Sequence, residues 1–333
     1  LHFRELFDKI IKGKFPKEGV NMDNSFDIIQ ELLQERADYQ ARLNLIPYDG
    51  SPEIKENSSG RYLYIRKRIN GKLTSTYVNV YSDELYQLLL RNSKEARELK
   101  KQIRRVDKAL ADNGYVAEDL PAEVIFNLDF ARANMKSNIY DQAVLEGVAT
   151  TFPQTEEILE NGKVNGMSAD DVQKILNLKH AWEFILDRDV IRSASNYYLL
   201  CHIAKLVNEG FYFDGGRIRG VPVTIGGTSY VPPIPIEAQV NECINEILDS
   251  KADEIDIAIN LCLYCMRTQI FLDGNKRASV IFANHYLIAH GLGMIVIPEN
   301  HVPEFKRKLV SYYESGDTRD ISDFLKENCW RRM

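Results

Sequence analysis

The sequence predicts a mainly α protein with a small basic β-hairpin module ahead of its helical region. Three observations predict it. From Pro121 onward, apolar residues recur at helical spacing through seven segments. Between Tyr62 and Val80, two β-branched and aromatic runs flank Asn70-Gly71, a strong short-range hairpin signal. A single Gly- and Pro-rich excursion, from Arg217 to Pro235, interrupts the helices as a second hairpin. The 333 residues are 44% hydrophobic and 27% charged, which excludes wholesale disorder. Length alone suggests two to three domains at about 150 residues each.

In chain order, residues 1–60 read as a helical and loop segment. The first thirty residues scatter Arg4, Asp8, Lys9, Lys12 and Lys14 among short apolar patches, which is no secretory signal. An amphipathic stretch near Phe26 follows Asp23 and Asn24, two candidate N-caps. The runs Pro47 to Pro52 and Asn57 to Gly60 read as loop. Residues 61–120 hold the hairpin and a long polar helix opened by Ser82-Asp-Glu and stopped near Asn113-Gly114. Residues 121–333 form the helical region, with helices expected over 125–145, 168–186, 191–208, 236–248, 255–266, 275–289 and 302–313. Ser168-Ala-Asp-Asp is close to a capping box.

Charge is uneven. The chain totals −6, which argues against a surface built wholly for nucleic acid. Residues 61–108 nevertheless hold thirteen Lys or Arg against five acids, a local +8 that leaves −14 elsewhere. That asymmetry marks a surface for nucleic acid or an acidic partner, or else a solvated helix face. Five Cys make no disulfide framework and fit a reducing, cytoplasmic setting. Residues 278–298 carry no formal charge, but Asn284, His285 and Gly291 break the run, so a buried core helix is expected and no membrane span.

The chemistry concentrates in Gln269-Ile-Phe-Leu-Asp-Gly-Asn-Lys-Arg277. Gly274 allows a tight turn between Asp273 and Asn275. Asn275, Lys276 and Arg277 fall in the first turn of the next helix, where free N–H groups favour an anion. Two cations oppose the helix dipole there, an arrangement a polyphosphate would neutralise. Asp273 alongside suits Mg²⁺, which takes one or two carboxylates together with substrate phosphates. Composition alone leaves open a plain surface turn ahead of a helix start.

This run resembles the signature of Fic/Doc family proteins, His-x-Phe-x-(Asp/Glu)-Gly-Asn-(Gly/Lys)-Arg, at Phe271, Asp273, Gly274, Asn275, Lys276 and Arg277. The Lys variant is more like Doc-type members. The segment from Arg217 through Gly227, then Val231-Pro-Pro-Ile-Pro235, is similar to the family's flap hairpin. Ala143-Val-Leu-Glu-Gly147 resembles the inhibitory-helix motif of self-inhibited members. The resemblance implies a Fic/Doc-like helical domain with a β-hairpin flap, covering most of 125–333. It also implies transfer of AMP or phosphate from ATP, with Mg²⁺, to a hydroxyl of a protein substrate docked by strand addition on Val223, Thr224, Ile225 and Gly226. Asp273 would hold the metal, Asn275 and the Gly274 amide would grip phosphate, and Lys276 and Arg277 would complete the nucleotide site. Glu146 and Gly147 would be regulatory.

Two departures qualify this. The family's His, the base toward the target hydroxyl, is Gln269, and an amide is no base near pH 7. Loss of a general base typically costs about 10²–10⁴-fold. The second departure is Val280, where many adenylylating members carry an Arg that partners the inhibitory Glu; Glu146 must then use Arg277 or a neighbour. His180, His202, His285 and His290 sit in helical patterns and read as packing residues, as do Trp182 and Phe184. Cys262 and Cys265 lack a second ligand pair and read as small buried hydrophobes. The expected function is an autoinhibited, ATP/Mg-dependent protein adenylyltransferase weakened at Gln269. The rivals are an inactive nucleotide- or partner-binding module and a Doc-like phosphotransferase. A homo-oligomer is compatible with the sequence.

Overall fold

Leu33, Ala37 and Ala41 recur at helical spacing and lie buried on one face of helix α1 (Met22–Leu45). In this computed structural model, residues 22–332 are described except 47, 70–71, 117–118 and 162–165. The Asn70-Gly71 turn and Pro47 lie outside the described residues, as does nearly all of the N-terminal stretch. Asp23 and Asn24, the two expected caps, lie inside helix α1 as described, Met22–Leu45.

The expected hairpin is part of a larger sheet. Strands β1 (Ser51–Asn57), β2 (Gly60–Ile69) and β3 (Lys72–Val80) pair antiparallel in that order. Strand β1 corrects the loop expected up to residue 60, so the sheet crosses that boundary. It is an edge strand, where Pro52 costs no central ladder bond and polar residues face water. Helix α2 (Asp83–Asp112) starts at Ser82, whose Oγ accepts from the Leu85 N–H at 3.2 Å. It ends where Gly114 takes φ +75°. Leu89 of α2 packs on Leu63 and Ile65 of β2, and Val106 and Leu110 pack on Leu33 of α1.

Residues 125–145 form two helices, α3 (Ala122–Ala133) and α4 (Met135–Leu145). Asn134 breaks them because its side chain donates back to the Phe130 carbonyl at 2.8 Å. Helix α5 (Phe152–Asn161) has no counterpart in the expected set. Helix α6 (Ala169–Ile185) is capped by Ser168, whose Oγ accepts from the Asp171 N–H at 3.1 Å. The helix expected from 191 begins only at α7 (Tyr197–Val207), where Asn196 accepts from the Leu199 N–H at 2.9 Å. A 3₁₀ turn, Val190–Arg192, precedes it.

Helices α8 (Glu237–Leu248), α9 (Glu254–Thr268) and α10 (Asn275–Ala289) follow, close to the expected bounds. The last twelve residues of α10 carry no charge, so the helix is apolar all round and belongs inside. It packs against α3, α6, α7 and α9, and every residue from Ala278 to Ile288 is buried. Each such Leu or Ile contributes about 1.5–3 kcal/mol of burial. Its polar exceptions are satisfied: Asn284 donates to the Val280 and Ile295 carbonyls and accepts from the Ile295 N–H. Strand β4 (Met294–Ile295), helix α11 (Val302–Ser315), helix α12 (Arg319–Asn328) and strand β5 (Trp330–Arg331) complete the chain, with β4 and β5 paired antiparallel. Among the described residues, no helix is long and apolar enough to cross a membrane.

Candidate functional site

The loop between α9 and α10 is pinned from within by Asn275. Asn275 Oδ1 accepts from the Phe271 N–H at 2.9 Å, and its Nδ2 donates to the Phe271 carbonyl at 2.8 Å. With Ile270 and Phe271 buried beneath it, the turn is fixed from below. Gly274 takes φ +71°, and a Cβ there would come 2.6 Å from Asn208 Oδ1, so both conformation and space require glycine. Asn208 follows the last residue of α7 and donates Nδ2 to the Asp273 carbonyl at 2.9 Å and to the Gly215 carbonyl at 3.1 Å.

Gln269 caps α9 in the left-handed region at φ +49°, an unfavourable place for a non-glycine residue. Its side chain is engaged at both ends. Nε2 donates to the Met266 carbonyl at 2.6 Å, and Oε1 accepts from Asn275 Nδ2 at 3.2 Å. Gln269 therefore acts as a brace of the loop in this conformation.

Arg277 is only 2% exposed and is served by two distant parts of the chain and by its neighbour Asp273. Nη1 donates to the Val207 carbonyl at 2.9 Å, and Nη2 reaches Asp273 Oδ2 at 3.1 Å. Nε lies 3.6 Å from Glu146 Oε2, while Lys276 Nζ lies 3.6 Å from Glu146 Oε1. Glu146 ends α4, and Gly147 then turns the chain at φ +80°. Gln142, one turn earlier, donates to the Arg277 carbonyl at 3.0 Å and accepts from Trp182 Nε1 at 3.0 Å. Glu146 Oε1 and Arg277 Nε are buried without a hydrogen-bond partner, so this approach is electrostatic only. Val280 is buried in the core with Gln142, Leu145 and Trp182 around it, so no cation faces Glu146 from that position. Burial first, and then neighbouring charge including Glu146, pushes the Tyr313 phenol up.

Asp273 is the one carboxylate of the loop, and its side chain is half exposed. A hard cation that keeps waters and shares substrate phosphates needs no more from the protein, so Mg²⁺ fits these donors. No cluster of three or more His, Cys, Asp or Glu side chains able to hold a metal occurs among the described residues.

Residues 217–236 contain no strand, which corrects the expected β-hairpin flap to an irregular excursion. Pro222, Pro232, Pro233 and Pro235 lack the N–H groups a ladder needs. A buried Arg219 takes up the carbonyls instead. Its guanidinium donates to Val221, Pro232, Pro233, Thr268 and Gln269 carbonyls, and its own N–H donates to the Ile270 carbonyl at 3.0 Å. One side chain thus fastens the flap to the loop. Val223 and Ile225 are half-buried while Thr224 and Gly226 are exposed. Tyr230 anchors the returning arm beneath Arg267, at 4.5 Å, and against Tyr313.

Among the described residues, no histidine enters this loop's hydrogen bonds. His285 Nδ1 is 2.8 Å from Ser195 Oγ and Nε2 is 2.8 Å from the Val190 carbonyl; burial lowers its pKa to about 4. His202 stacks on Phe184, and burial lowers its pKa to about 4. His180 lies between Asp38 and Glu209; burial opposes its charge, but those contacts outweigh it and raise the pKa. His290 stacks on Tyr286. Cys262 and Cys265 are free, buried thiols, and burial pushes Cys262 up to about 12.

Sequence reasoning missed Asn208, Arg219 and Gln142. Asn208-Glu-Gly210 reads locally as a helix end, and Arg219 was visible only as one residue of the flap segment. Neither carries a signal of its partners.

Residues 195–287 match the profile of the Fic/DOC family, and residues 26–87 match a domain of unknown function, DUF6788. The chain is 24% identical over 196 residues to the protein adenylyltransferase Fic of Drosophila willistoni, covering 57% of this chain and 38% of that protein. It is 25% identical over 213 residues to the protein of the same name from Aedes aegypti, covering 60% and 41%. The chain thus spans about two fifths of the length of these curated relatives. Among solved structures, C. elegans Fic-1 aligns with a TM-score of 0.51 at 18% identity over 74% of each chain, a likeness of fold.

Proposed function

We propose that the chain is a Fic/Doc family member through its helical region, where residues 195–287 match the family model, and that it transfers AMP from ATP to a hydroxyl of a protein target, held back by its own Glu146. The observation that carries this reading is the facing of a partly buried Glu146 and a buried Arg277 at 3.6 Å, neither hydrogen-bonded to the other.

The target oxygen forms a bond to the α-phosphorus of ATP, the bond from that phosphorus to the bridging oxygen breaks, and pyrophosphate leaves. The hydroxyl proton passes to solvent, because Gln269 cannot take it. Nucleotidyl transfer depends chiefly on positioning and charge neutralisation. Arg277 and Lys276 supply positive charge, and the N–H groups opening α10 point toward the same place. Asp273 would hold Mg²⁺, whose charge offsets that of the phosphates. The flap at Val223, Thr224, Ile225 and Gly226 would present the target hydroxyl. Arg277 has no free edge, since Glu146, Asp273 and Val207 surround it. A bound phosphate must therefore displace Glu146, which is the physical content of the restraint.

A second reading rests on Gln269, whose amide is engaged at both ends and braces the loop. It makes the domain a nucleotide-binding module without transfer. The Lys276 variant is also what a Doc-like phosphotransferase would carry.

Intact-mass analysis after incubation with Mg²⁺ and ATP separates these. The samples are the unaltered chain, Glu146→Gly, and Glu146→Gly with Gln269→His. An adduct of one AMP mass on Glu146→Gly supports transfer without the base. An adduct only after His is introduced supports a competent scaffold with a disabled centre. An adduct of one phosphate mass moves the reading to phosphotransfer. Calorimetric ATP binding without any adduct establishes the binding module.

A further inference from the structure

The outer face of the three-stranded sheet takes no part in the transfer site. On β2, Leu63 and Ile65 turn inward onto Leu89. The period of two then sets Tyr62, Tyr64, Arg66 and Arg68 on the opposite face. The register places Tyr77 beside Tyr64, Ser75 beside Arg66 and Leu73 beside Arg68 on β3. On β1 it places Lys55 beside Tyr62 and Glu53 beside Tyr64.

Three aromatic rings therefore gather on a face that no core covers. The Tyr77 ring lies 5.6 Å from Tyr64 at 73° and 6.3 Å from Tyr62 at 52°. Lys55 Nζ sits 4.1 Å over the Tyr64 ring, and Tyr77 remains 50% exposed. Tyrosines kept in water at this density mark a contact surface better than a solvated one. Lys55, Arg66 and Arg68 share this face with the single acid Glu53, which lies 3.8 Å from both Lys55 and Arg66, so the face keeps a net positive charge in a chain whose total charge is −6.

We propose that this face binds single-stranded nucleic acid. Bases stack on Tyr77 and its neighbours, and phosphates meet Arg66, Arg68 and Lys55. An acidic peptide would use the cations and leave the rings idle. A duplex keeps its bases stacked inside and offers a flat face only phosphates.

The test uses the whole chain and fluorescence anisotropy with labelled oligothymidine, oligouridine and a duplex, each of about 20 nucleotides. Both single strands, or one of them, should bind more tightly than the duplex, with affinity falling as salt rises. Tyr64→Ala with Tyr77→Ala should weaken binding about ten-fold, and Tyr64→Phe with Tyr77→Phe should keep it within about two-fold, since the ring does the stacking. Arg66→Ala with Arg68→Ala should lower the slope of log K against log salt by about 1.4. Arg66, Arg68 and Tyr77 are exposed and Tyr64 is half-buried, and unchanged melting temperatures check that the variants fold. The proposal is overturned by absent binding at low salt, by preference for the duplex, or by competition with polyglutamate that matches oligouridine. It is equally overturned if only Arg104→Ala with Lys108→Ala, on α2, weakens binding.

Discussion

Glu146 Oε2 stands 3.6 Å from Arg277 Nε, close enough to neutralise it and too far to hydrogen-bond it. The two residues come from α4 and α10, and Lys276 meets the other carboxylate oxygen at the same distance. One acid thus sits where two cations await an anion. In the proposed function, a phosphate group and Glu146 would compete for the same guanidinium edge.

Replacing Glu146 by Gln keeps the shape and removes the competing charge. ATP affinity should rise about ten-fold, since a close, partly buried charge pair is worth on the order of 1–2 kcal/mol net. Isothermal titration with ATP and Mg²⁺ reads this directly. Equal affinity in the two proteins would remove Glu146 from the nucleotide site.

Arg219→Ala should release the segment 217–236 from the loop between α9 and α10. It leaves five carbonyls of both segments without their donor, at a cost of about 2–4 kcal/mol after water replaces part of the loss. Urea denaturation gives the stability, and limited proteolysis should cut within residues 217–236. Arg219→Lys should recover only part, because an ammonium cannot span the same fork of acceptors. A flap that stays protected in Arg219→Ala would refute the clamp.

Gly274→Ala forces a side chain into a left-handed turn 2.6 Å from Asn208 Oδ1. The conformational term alone costs about 1–2 kcal/mol, and Asn208 must move away from the Asp273 carbonyl. Melting temperature should fall, and ATP binding should weaken more than fold stability explains. Asn208→Ala in the same background should return part of the stability by making room.

Acid should destabilise the protein before carboxylates titrate. His285 and His202 have pKa values lowered from the ordinary 6.5 to about 4 by burial. The unfolded chain therefore takes protons first, and their stability contribution is complete above about pH 6.5 and is lost as pH falls toward 4. Each is worth on the order of 3 kcal/mol at the acid limit. His180, whose pKa is raised, works in the opposite sense: its contribution is full below 6.5 and is lost as pH rises through its folded value. Urea midpoints at pH 7.5 and 5 should differ. His202→Phe, which removes a buried Nε2 without a partner, should narrow that difference and raise stability by about 1 kcal/mol. An unchanged pH response would assign the acid sensitivity elsewhere.

Much of this architecture was legible because local chemistry carried it. Ser82 and Ser168 announced helix starts, and the uncharged run after Arg277 announced a buried helix. Strand β1 was hidden because a short polar edge strand looks like loop until its partner is known. The break at Asn134 was hidden because apolar spacing continues across it. Residues 217–235 leave the helices where the Gly and Pro content predicts, but their prolines prevent the ladder that a hairpin requires.

By itself, the sequence determined the turn at Gly274, the first-turn cations Lys276 and Arg277, and the amide at 269. Those are statements about neighbours in the chain, where residue type and spacing suffice. Only the tertiary structure decided what those groups face. Arg277 takes its acceptor from Val207, 70 residues away, and its carbonyl is held by Gln142, 135 residues away. Arg219 joins a flap to a loop 50 residues on. A buried guanidinium must find acceptors, but periodicity does not say which; packing of α4, α7 and α10 around one apolar core makes that choice.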